Sequence, residues 1–186
     1  MRRNQALALK TSGTLLAIAS TCIILCPTVR ADDFVSEVRL GWLDHDAGIF
    51  SNRKEDGADI NAEVLFVAPE FLDVAWSPRP DLGFKLNTSG DTDQIYAGLT
   101  WTYSFMDSLF CDFSFGPSVH NGNLNKSDPN LKALGSPVLF REALSVGWRF
   151  DPVNSMSVIL DHISNAGLAR YNGGMEDIGI RYGYHF

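Results

Sequence analysis

The stretch Gln94–Phe105 reads QIYAGLTWTYSF, and its apolar and aromatic side chains fall on every second residue. Successive side chains of a β-strand point to opposite sides, so this period indicates a strand with one face in an apolar environment. The apolar face comprises Ile95, Ala97, Leu99, Trp101, Tyr103 and Phe105, and the opposite face comprises Gln94, Tyr96, Gly98, Thr100, Thr102 and Ser104. The opposite face is too small and polar for the core of a soluble protein, but it suits the interior of a narrow barrel.

The C-terminal segment alternates in the same way, and six further segments do so less regularly. Its apolar set is Ile178, Ile180, Tyr182, Tyr184 and Phe186. No long stretch has the i, i+3, i+4, i+7 apolar stripe of an amphipathic helix. The remaining strands are predicted at Val35–Trp42, Ile60–Val67, Leu82–Asn87, Leu109–His120, Val138–Phe150 and Ser155–Ile163, which gives eight strands in total.

The predicted connections are of two kinds, short turns and long polar loops. The short turns are Met106–Ser108 and Asp151–Asn154, and the long loops are Leu43–Asp59, Asn121–Ser136 and Asn165–Gly174. If the strands run alternately up and down, all the long loops lie at one end, as in bacterial outer-membrane barrels. The connection Pro69–Asp81 fits this pattern less well, because it falls at the short-turn end and is not short.

The aromatic residues also indicate a membrane barrel. They cluster near the short-turn ends of their strands and share the apolar face, as in the aromatic girdle at a membrane interface. They are Trp101, Tyr103, Phe105, Trp148, Phe150, Tyr182, Tyr184 and Phe186. The alternative is a soluble lipocalin-like barrel or sandwich whose apolar face points inward. Because the loop lengths and the aromatic residues both fit a membrane barrel, we predict an all-β fold, an eight-stranded antiparallel transmembrane β-barrel of the bacterial outer membrane.

The first 31 residues have the features of a secretory signal peptide. Arg2, Arg3 and Lys10 form a positive region, and the run from Gly13 to Pro27 is almost entirely apolar or small. This run is shorter than the roughly 18–20 residues that a membrane-spanning helix needs. We expect cleavage after Ala31, which leaves residues 32–186 as a single barrel domain.

The composition of the remaining chain excludes several functions. The signal segment contains four of the 15 basic residues and none of the 22 acidic ones, which leaves a net charge of −11. Such a chain is a poor partner for nucleic acid, whose phosphates require a basic surface. Cys111 is the only cysteine left, so neither an internal disulfide nor a cysteine metal site is expected. His45, His120 and His185 lack metal-ligand spacing and are expected at the rim or in the interior, so no metal and no cofactor is predicted.

The segment Asp161–Glu176, DHISNAGLARYNGGME, contains the side chains of an acyl-transfer site. Ser164 can attack an ester carbonyl, His162 can accept its proton, and Glu176 can orient the imidazole and stabilise its cation. His162 and Ser164 are two residues apart, so on a strand they project to the same side. If the loop is centred on Ala169, His162 lies opposite Glu176 on the neighbouring strand.

The strand periodicity also predicts where these three side chains point. His162 and Ser164 continue the apolar set of their strand, and Glu176 continues the apolar set of the last one. All three are therefore expected on the lipid-facing surface, at the outer ends of their strands. This position suits an enzyme that acts on a lipid of the outer leaflet, although a rim of ordinary polar residues is the structural alternative.

Other residues are candidates for supporting roles. Asn165 and the following backbone amides, including Gly167, are candidates for an oxyanion hole, because its donors must lie beside the nucleophile. Glu142 shares the apolar face of its strand and is expected opposite His162 from the other side, as a supporting group or as a rival acid of the triad. The cations of the outer loops can either contact lipid phosphates or be solvated; they are Arg53, Lys54, Lys126, Lys132 and Arg170.

The pattern HISNAGL followed by N-x-G-x-E resembles the PagL-type lipid A 3-O-deacylases. That family has a Ser-His-Glu triad on the outside of an eight-stranded outer-membrane barrel. The resemblance implies His162, Ser164 and Glu176 as the triad, places Asn172 at a further family asparagine, and agrees with the terminal Phe186. The specific match covers roughly the last 25 residues.

The resemblance implies a hydrolase that removes the ester-linked 3-O acyl chain of lipid A in lipopolysaccharide, within the outer membrane and without a cofactor. Proteins of this kind are also described as acyloxyacyl hydrolases. Two alternatives remain: a non-enzymatic structural or adhesin-like barrel, and an esterase acting on a secondary acyl chain or a phospholipid. The oligomeric state stays open, with a homo-oligomer as one alternative.

Overall fold

The computed structural model describes residues 34–50 and 52–186. The expected signal peptide, residues 1–31, lies outside the described residues. Eight strands and one 3₁₀ helix make up the regular structure of the described part. The strands are β1 (Val35–Asp44), β2 (Ala58–Phe66), β3 (Arg79–Asn87), β4 (Gln94–Phe105), β5 (Leu109–His120), β6 (Val138–Arg149), β7 (Asn154–Ser164) and β8 (Met175–His185), and the 3₁₀ helix is Glu70–Ala75.

The strands form a closed antiparallel barrel in chain order, with β8 paired back to β1. The predicted eight-stranded barrel is therefore confirmed, and each predicted strand lies within a few residues of an observed one. Four outer loops lie at one end, and we number them outer loop 1 (residues 45–57), 2 (88–93), 3 (121–137) and 4 (165–174). No helix of the described residues is long and apolar enough to cross a membrane.

The connection that fitted the sequence pattern poorly contains the 3₁₀ helix Glu70–Ala75. It carries strongly exposed apolar side chains, among them Val74 and Trp76. The indole nitrogen of Trp101, on the outer face of β4, donates a hydrogen bond to the Ala75 carbonyl at 2.7 Å. The connection is therefore longer than a tight turn and has a hydrogen bond to a residue of the aromatic girdle, a region where amphipathic side chains are stable.

The barrel has an apolar outside and a charged inside. Exposed residues alternate with buried ones along much of the strands, and the exposed set contains six of the eight predicted girdle residues, with Tyr103, Trp148 and Tyr184 between 43% and 71% exposed. The other two, Trp101 and Phe105, are half-buried. The buried set includes Glu63, Arg181 and many other polar or charged residues. A soluble barrel would have the opposite polarity, so this arrangement identifies a barrel that lies in lipid.

The interior charges form paired networks. Glu63 accepts a hydrogen bond from Arg181 at 2.8 Å, and Asp161 accepts bonds from Lys85 at 2.7 Å and Arg141 at 2.6 Å. Removing one partner of a buried pair typically costs about 3–5 kcal/mol, because the other charge stays buried without compensation. These pairs fill the barrel interior, so the chemistry must take place on its outer surface or at its loops.

Candidate active site

Strand pairing brings two carboxylates to His162 from opposite sides. His162 of β7 lies opposite Glu176 of β8 and opposite Glu142 of β6. Both pairings were predicted from the sequence, and both are confirmed. Directly opposed residues on neighbouring strands have Cβ atoms about 4.5–5.5 Å apart, so either carboxylate is within reach of the imidazole.

The imidazole binds Glu176. Nδ1 of His162 lies 2.9 Å from Oε1 of Glu176, whose side chain is 2% exposed, whereas the His162 side chain is 34% exposed. A carboxylate beside Nδ1 favours the tautomer with the proton on Nδ1, which leaves Nε2 unprotonated. His162 thus presents a proton acceptor towards the surface, and a buried carboxylate faces its other nitrogen.

Ser164 ends β7, two residues after His162 and on the same outward face. Both side chains are partly exposed, whereas Ile163 between them is fully buried. Ser164 pairs with Phe140 of β6, which is exposed to the lipid side. At the outer rim of the lipid-facing surface, the structure thus joins His162 to Glu176 by a hydrogen bond and places Ser164 on the same face of β7. Among the described residues, no hydrogen bond joins Ser164 to His162. Glu176 is buried, although its position on the strand is outward, and the Ala47 amide of outer loop 1 donates a hydrogen bond to the Glu176 carbonyl.

Glu142 differs from Glu176 in its hydrogen bonding. Its Oε2 atom is buried and has no hydrogen-bond partner among the described residues. A buried carboxylate oxygen without a partner is costly, which makes Glu142 a candidate for an interaction formed only when substrate is bound. The hydrogen bond to Nδ1 favours Glu176 as the group that orients the imidazole, whereas Glu142 lies opposite His162 without a hydrogen bond to it.

Asn165, predicted as an oxyanion-hole donor or support, fastens the loops around the site. Its side-chain amide donates to the carbonyls of Leu134 at 2.8 Å and Tyr171 at 2.6 Å, and its backbone amide donates to Oδ1 of Asn172 at 2.9 Å. Every donor of Asn165 is therefore occupied, because a side-chain amide has two N–H groups and the backbone one. Donation by Asn165 to an oxyanion is inconsistent with this geometry, whereas its supporting role and that of Asn172 agree with it.

Gly167 lies at the exposed tip of the turn that follows Asn165. Ala166 and Gly167 have φ values of 53° and 78°, and the Leu168 amide donates to the Asn165 carbonyl at 3.0 Å. Two successive positive φ angles within a four-residue turn are the signature of a type I′ turn. Glycine at 167 can adopt this positive φ without steric strain. The remaining N–H donors of this turn are the amides of Ala166 and Gly167.

Two supporting features were missed by the sequence analysis. Gly174 has a φ of +54°, and a Cβ atom built there would lie 3.4 Å from Cε1 of His162. Outer loop 3, predicted only as a polar loop, contributes Leu134 to a buried cluster with Leu139, Ile163 and Met175 beneath the site. The glycine of the N-x-G-x-E pattern and the apolar pair Ala133-Leu134 within a polar loop were the available signals.

His45, expected at the rim or in the interior, is fully buried in outer loop 1. Its ring nitrogens lie 2.9 Å from Asp59 and 3.2 Å from Glu55. Burial by itself would lower the pKa of His45, but hydrogen bonds to Asp59 and Glu55 and the charge of Asp177 outweigh it and raise the pKa to about 10. A protonated His45 therefore links these carboxylates and helps to close the outer end of the barrel.

The described residues contain one group with the composition of a metal site, formed by His45, Asp59 and Asp177. Its ligand atoms lie within 4.8 Å of one another. The Lys85 ammonium forms an ion pair with Asp177, and the protonated His45 compensates Asp59. The group is consistent with an ion-pair network, so independence of metal stays a prediction.

We expect His45→Gln to loosen outer loop 1 in a pH-dependent manner. The stabilisation by a histidine with a raised pKa is fully present below its unfolded value of about 6.5 and is lost as the pH rises through about 10. Loss of one charged hydrogen bond, at about 1.5–3 kcal/mol, corresponds to roughly 10- to 100-fold faster opening. Limited proteolysis by subtilisin at several pH values measures this, with cleavage in outer loop 1 compared between variant and wild type. The rate ratio should be large at pH 6 and approach one above pH 10, and a constant ratio would contradict the prediction.

An apolar groove of about 270 Å³ lies on the lipid side of the barrel, close to the end of β7. Phe140, the strand partner of Ser164, stacks on Phe115 with ring centroids 6.1 Å apart, and both rings line the groove. Leu168, which is 80% exposed, lines the groove from outer loop 4. The groove has the apolar lining that an acyl chain requires, and its wall includes Asn165, the residue after Ser164.

A comparison with protein families gives a match to lipid A 3-O-deacylase (PagL) over residues 75–185. The chain belongs to this family. The matched range contains β3 to β8, and with them His162, Ser164 and Glu176. As a PagL family member, the protein is a carboxylic ester hydrolase, a lipid A 3-O-deacylase of the outer membrane.

The comparison with solved structures agrees with the barrel. The crystal structure of the outer membrane enzyme PagL matches 82% of this chain and 99% of its own, with a TM-score of 0.58 and 17% sequence identity. A de novo designed transmembrane β-barrel matches 84% of this chain and 98% of its own, with a TM-score of 0.51 and 10% identity. At such identities the similarity shows the fold alone, so the PagL assignment rests on the family match. No curated protein sequence gives a significant match.

Proposed function

We propose that this PagL family member hydrolyses the 3-O acyl ester of lipid A in the outer leaflet by a Ser164-His162-Glu176 mechanism. The observation that carries the proposal is the short contact between His162 and the buried Glu176, on the lipid-facing surface and two residues from Ser164. Ionisable side chains that face lipid are costly, so a histidine that is hydrogen-bonded to a carboxylate on this surface supports a functional role. His162 and Ser164 lie at the outer end of β7, where the head group of an outer-leaflet lipid is expected.

The chemistry follows the general scheme of serine esterases. The Ser164 Oγ attacks the ester carbonyl carbon while Nε2 of His162 accepts its proton, and Glu176 stabilises the imidazolium. The carbon–oxygen bond to the sugar then breaks, and the imidazolium returns the proton to the departing 3-hydroxyl. Water, activated by the same His162, attacks the acyl-Ser164 ester and releases the fatty acid and free serine.

Two neighbouring features support this scheme. The groove lined by Phe115 and Phe140 accommodates the acyl chain, because both rings are on the lipid side and Phe140 is the strand partner of Ser164. The amides of Ala166 and Gly167 are the proposed oxyanion donors, since they lie within three residues of the nucleophile, whereas the amide of Asn165 is already bonded. Residues 1–31 are proposed as the cleaved signal peptide through which the chain is exported.

Mass spectrometry of lipid A tests the position of the cleaved ester. Lipid A from cells that express the protein should lose one 3-hydroxyacyl mass relative to cells without it, and the product should lack the 3-O chain. Purified protein with EDTA should give the same product, because no residue of the mechanism requires a metal. Loss of a secondary acyl chain instead would establish the rival acyloxyacyl specificity, and unchanged lipid A in both settings would exclude the deacylase proposal.

A further inference from the structure

Four of the five outer-loop cations line one cavity, although they come from three different loops. The cavity has a volume of about 380 Å³ and opens at the outer end of the barrel. Among the residues that the structure describes, none that lines it has a carboxylate, even though the chain is strongly acidic. The cations are Lys54 from outer loop 1, Lys126 and Lys132 from outer loop 3, and Arg170 from outer loop 4.

The charges of this cavity are only partly compensated by the protein. Lys132 is buried and forms an ion pair with Asp46 at 3.0 Å. Within residues 34–50 and 52–186, the other three have no carboxylate within ion-pair distance: the Lys54 ammonium donates to the Pro129 carbonyl, and Lys126 and Arg170 lie over the Tyr171 ring at 5.7 and 5.4 Å. Cations held together without acidic partners repel one another, which an anionic ligand would relieve.

Arg53, the fifth outer-loop cation, provides a contrast. It lies outside the cavity and forms a bidentate ion pair with Asp44, at 2.8 and 3.0 Å. The neighbouring Lys54, which lines the cavity, has a carbonyl partner instead. Two adjacent basic residues of one loop thus differ in whether an acidic side chain neutralises them. The absence of a carboxylate is a property of the cavity and not of the outer loops in general.

The cavity wall is continuous with the residues around the serine. Asn172 lines the cavity, and its Oδ1 accepts the hydrogen bond from the amide of Asn165, the residue after Ser164. Gly173, also in the wall, precedes Gly174, which approaches the His162 ring. One molecule can therefore present an anionic group to the cavity and an ester to Ser164.

We propose that this cavity binds a phosphate monoester on the head group of the lipid substrate, a proposal that rests on the proposed function. Lysine and arginine side chains converging from several directions can each donate to a different phosphate oxygen. A phosphate held by loops 1, 3 and 4 fixes the sugar relative to the barrel. The cations thereby select phosphorylated glycolipids over neutral esters and position one ester at the serine.

The test compares the double variant Lys126→Gln/Arg170→Gln with wild type and with the control Arg53→Gln. Each protein is assayed in detergent micelles on phosphorylated lipid A and on the same lipid A after chemical removal of its phosphates. We expect the double variant to lose about 10-fold or more in kcat/KM, mainly through KM, on the phosphorylated lipid alone, since each charge-assisted hydrogen bond is worth about 1.5–3 kcal/mol. Arg53→Gln should stay within about twofold of wild type on both lipids.

Equal losses of the double variant on both lipids would assign these cations a structural role and overturn the proposal, as would no loss on either. Equilibrium binding of the two lipids to Ser164→Ala separates recognition from catalysis. If wild type hydrolyses neither lipid, the proposed function fails, and a preference of Ser164→Ala for the phosphorylated lipid would still support the anion site. Binding of inorganic phosphate, with equal binding of the two lipids, would make free phosphate the ligand and exclude the head group.

Discussion

Replacing Ser164 by alanine is expected to lower the rate of lipid A deacylation by roughly 10⁴- to 10⁶-fold, as removal of the nucleophile does in serine hydrolases. Without the hydroxyl, His162 has no proton to accept and no acyl-enzyme forms. The barrel should be unaffected, because Ser164 is partly exposed at the end of β7. The measurement is single-turnover deacylation of lipid A in micelles, with equal amounts of folded protein established by heat-modifiable gel mobility.

Ser157→Ala is the matched control for this experiment. Ser157 belongs to the same strand, but it is buried on the inward face of the barrel. The same substitution there should leave the rate within a few-fold of wild type. If Ser164→Ala were as active as Ser157→Ala, the serine nucleophile and the mechanism built on it would be refuted.

Glu176→Gln is expected to be nearly as damaging, with a loss of about 10⁴-fold in rate. A glutamine amide can donate to Nδ1 of His162, which favours the tautomer protonated on Nε2 and so removes the proton acceptor facing the serine. The glutamine also lacks the charge that stabilises the imidazolium. Single-turnover assays and a pH profile of the folded variant measure the effect.

Glu142→Gln, the corresponding change on the other side of His162, should be milder. Its Oε2 has no hydrogen-bond partner among the described residues, whereas Glu176 contacts Nδ1 at 2.9 Å. We expect a loss on the order of 10- to 100-fold, by analogy with outer-shell partners of metal-bound histidines. If Glu142→Gln were the inactive variant and Glu176→Gln the mild one, the assignment of the acid would be wrong, while the serine and the histidine would be unaffected.

The sequence by itself determined the barrel and the relative placement of the catalytic candidates. Side chains of a strand alternate between its two faces, so the position of each residue in Gln94–Phe105 predicts the face on which it lies. One atypical residue does not change the assignment of the others. The pairing of His162 with Glu176 also followed from local information, because the two strands are joined by one loop whose centre defines the register. The same argument across the short turn after β6 placed Glu142 opposite His162.

Only the tertiary structure decided how the loops are arranged around this pair. The bonds from Asn165 to Leu134 and from Gly173 to Ala133 join segments about 30–40 residues apart, and no periodicity encodes them. Glu176 and Glu142 both lie opposite His162 on neighbouring strands, so strand pairing alone does not predict which one binds the imidazole. The side-chain geometry of the folded protein shows that it is Glu176. Lys54, Lys126 and Arg170 line one cavity, although the whole chain is acidic. The sequence does not predict this cluster, because the three residues are far apart in the chain and only the folded loops bring their side chains to the same place.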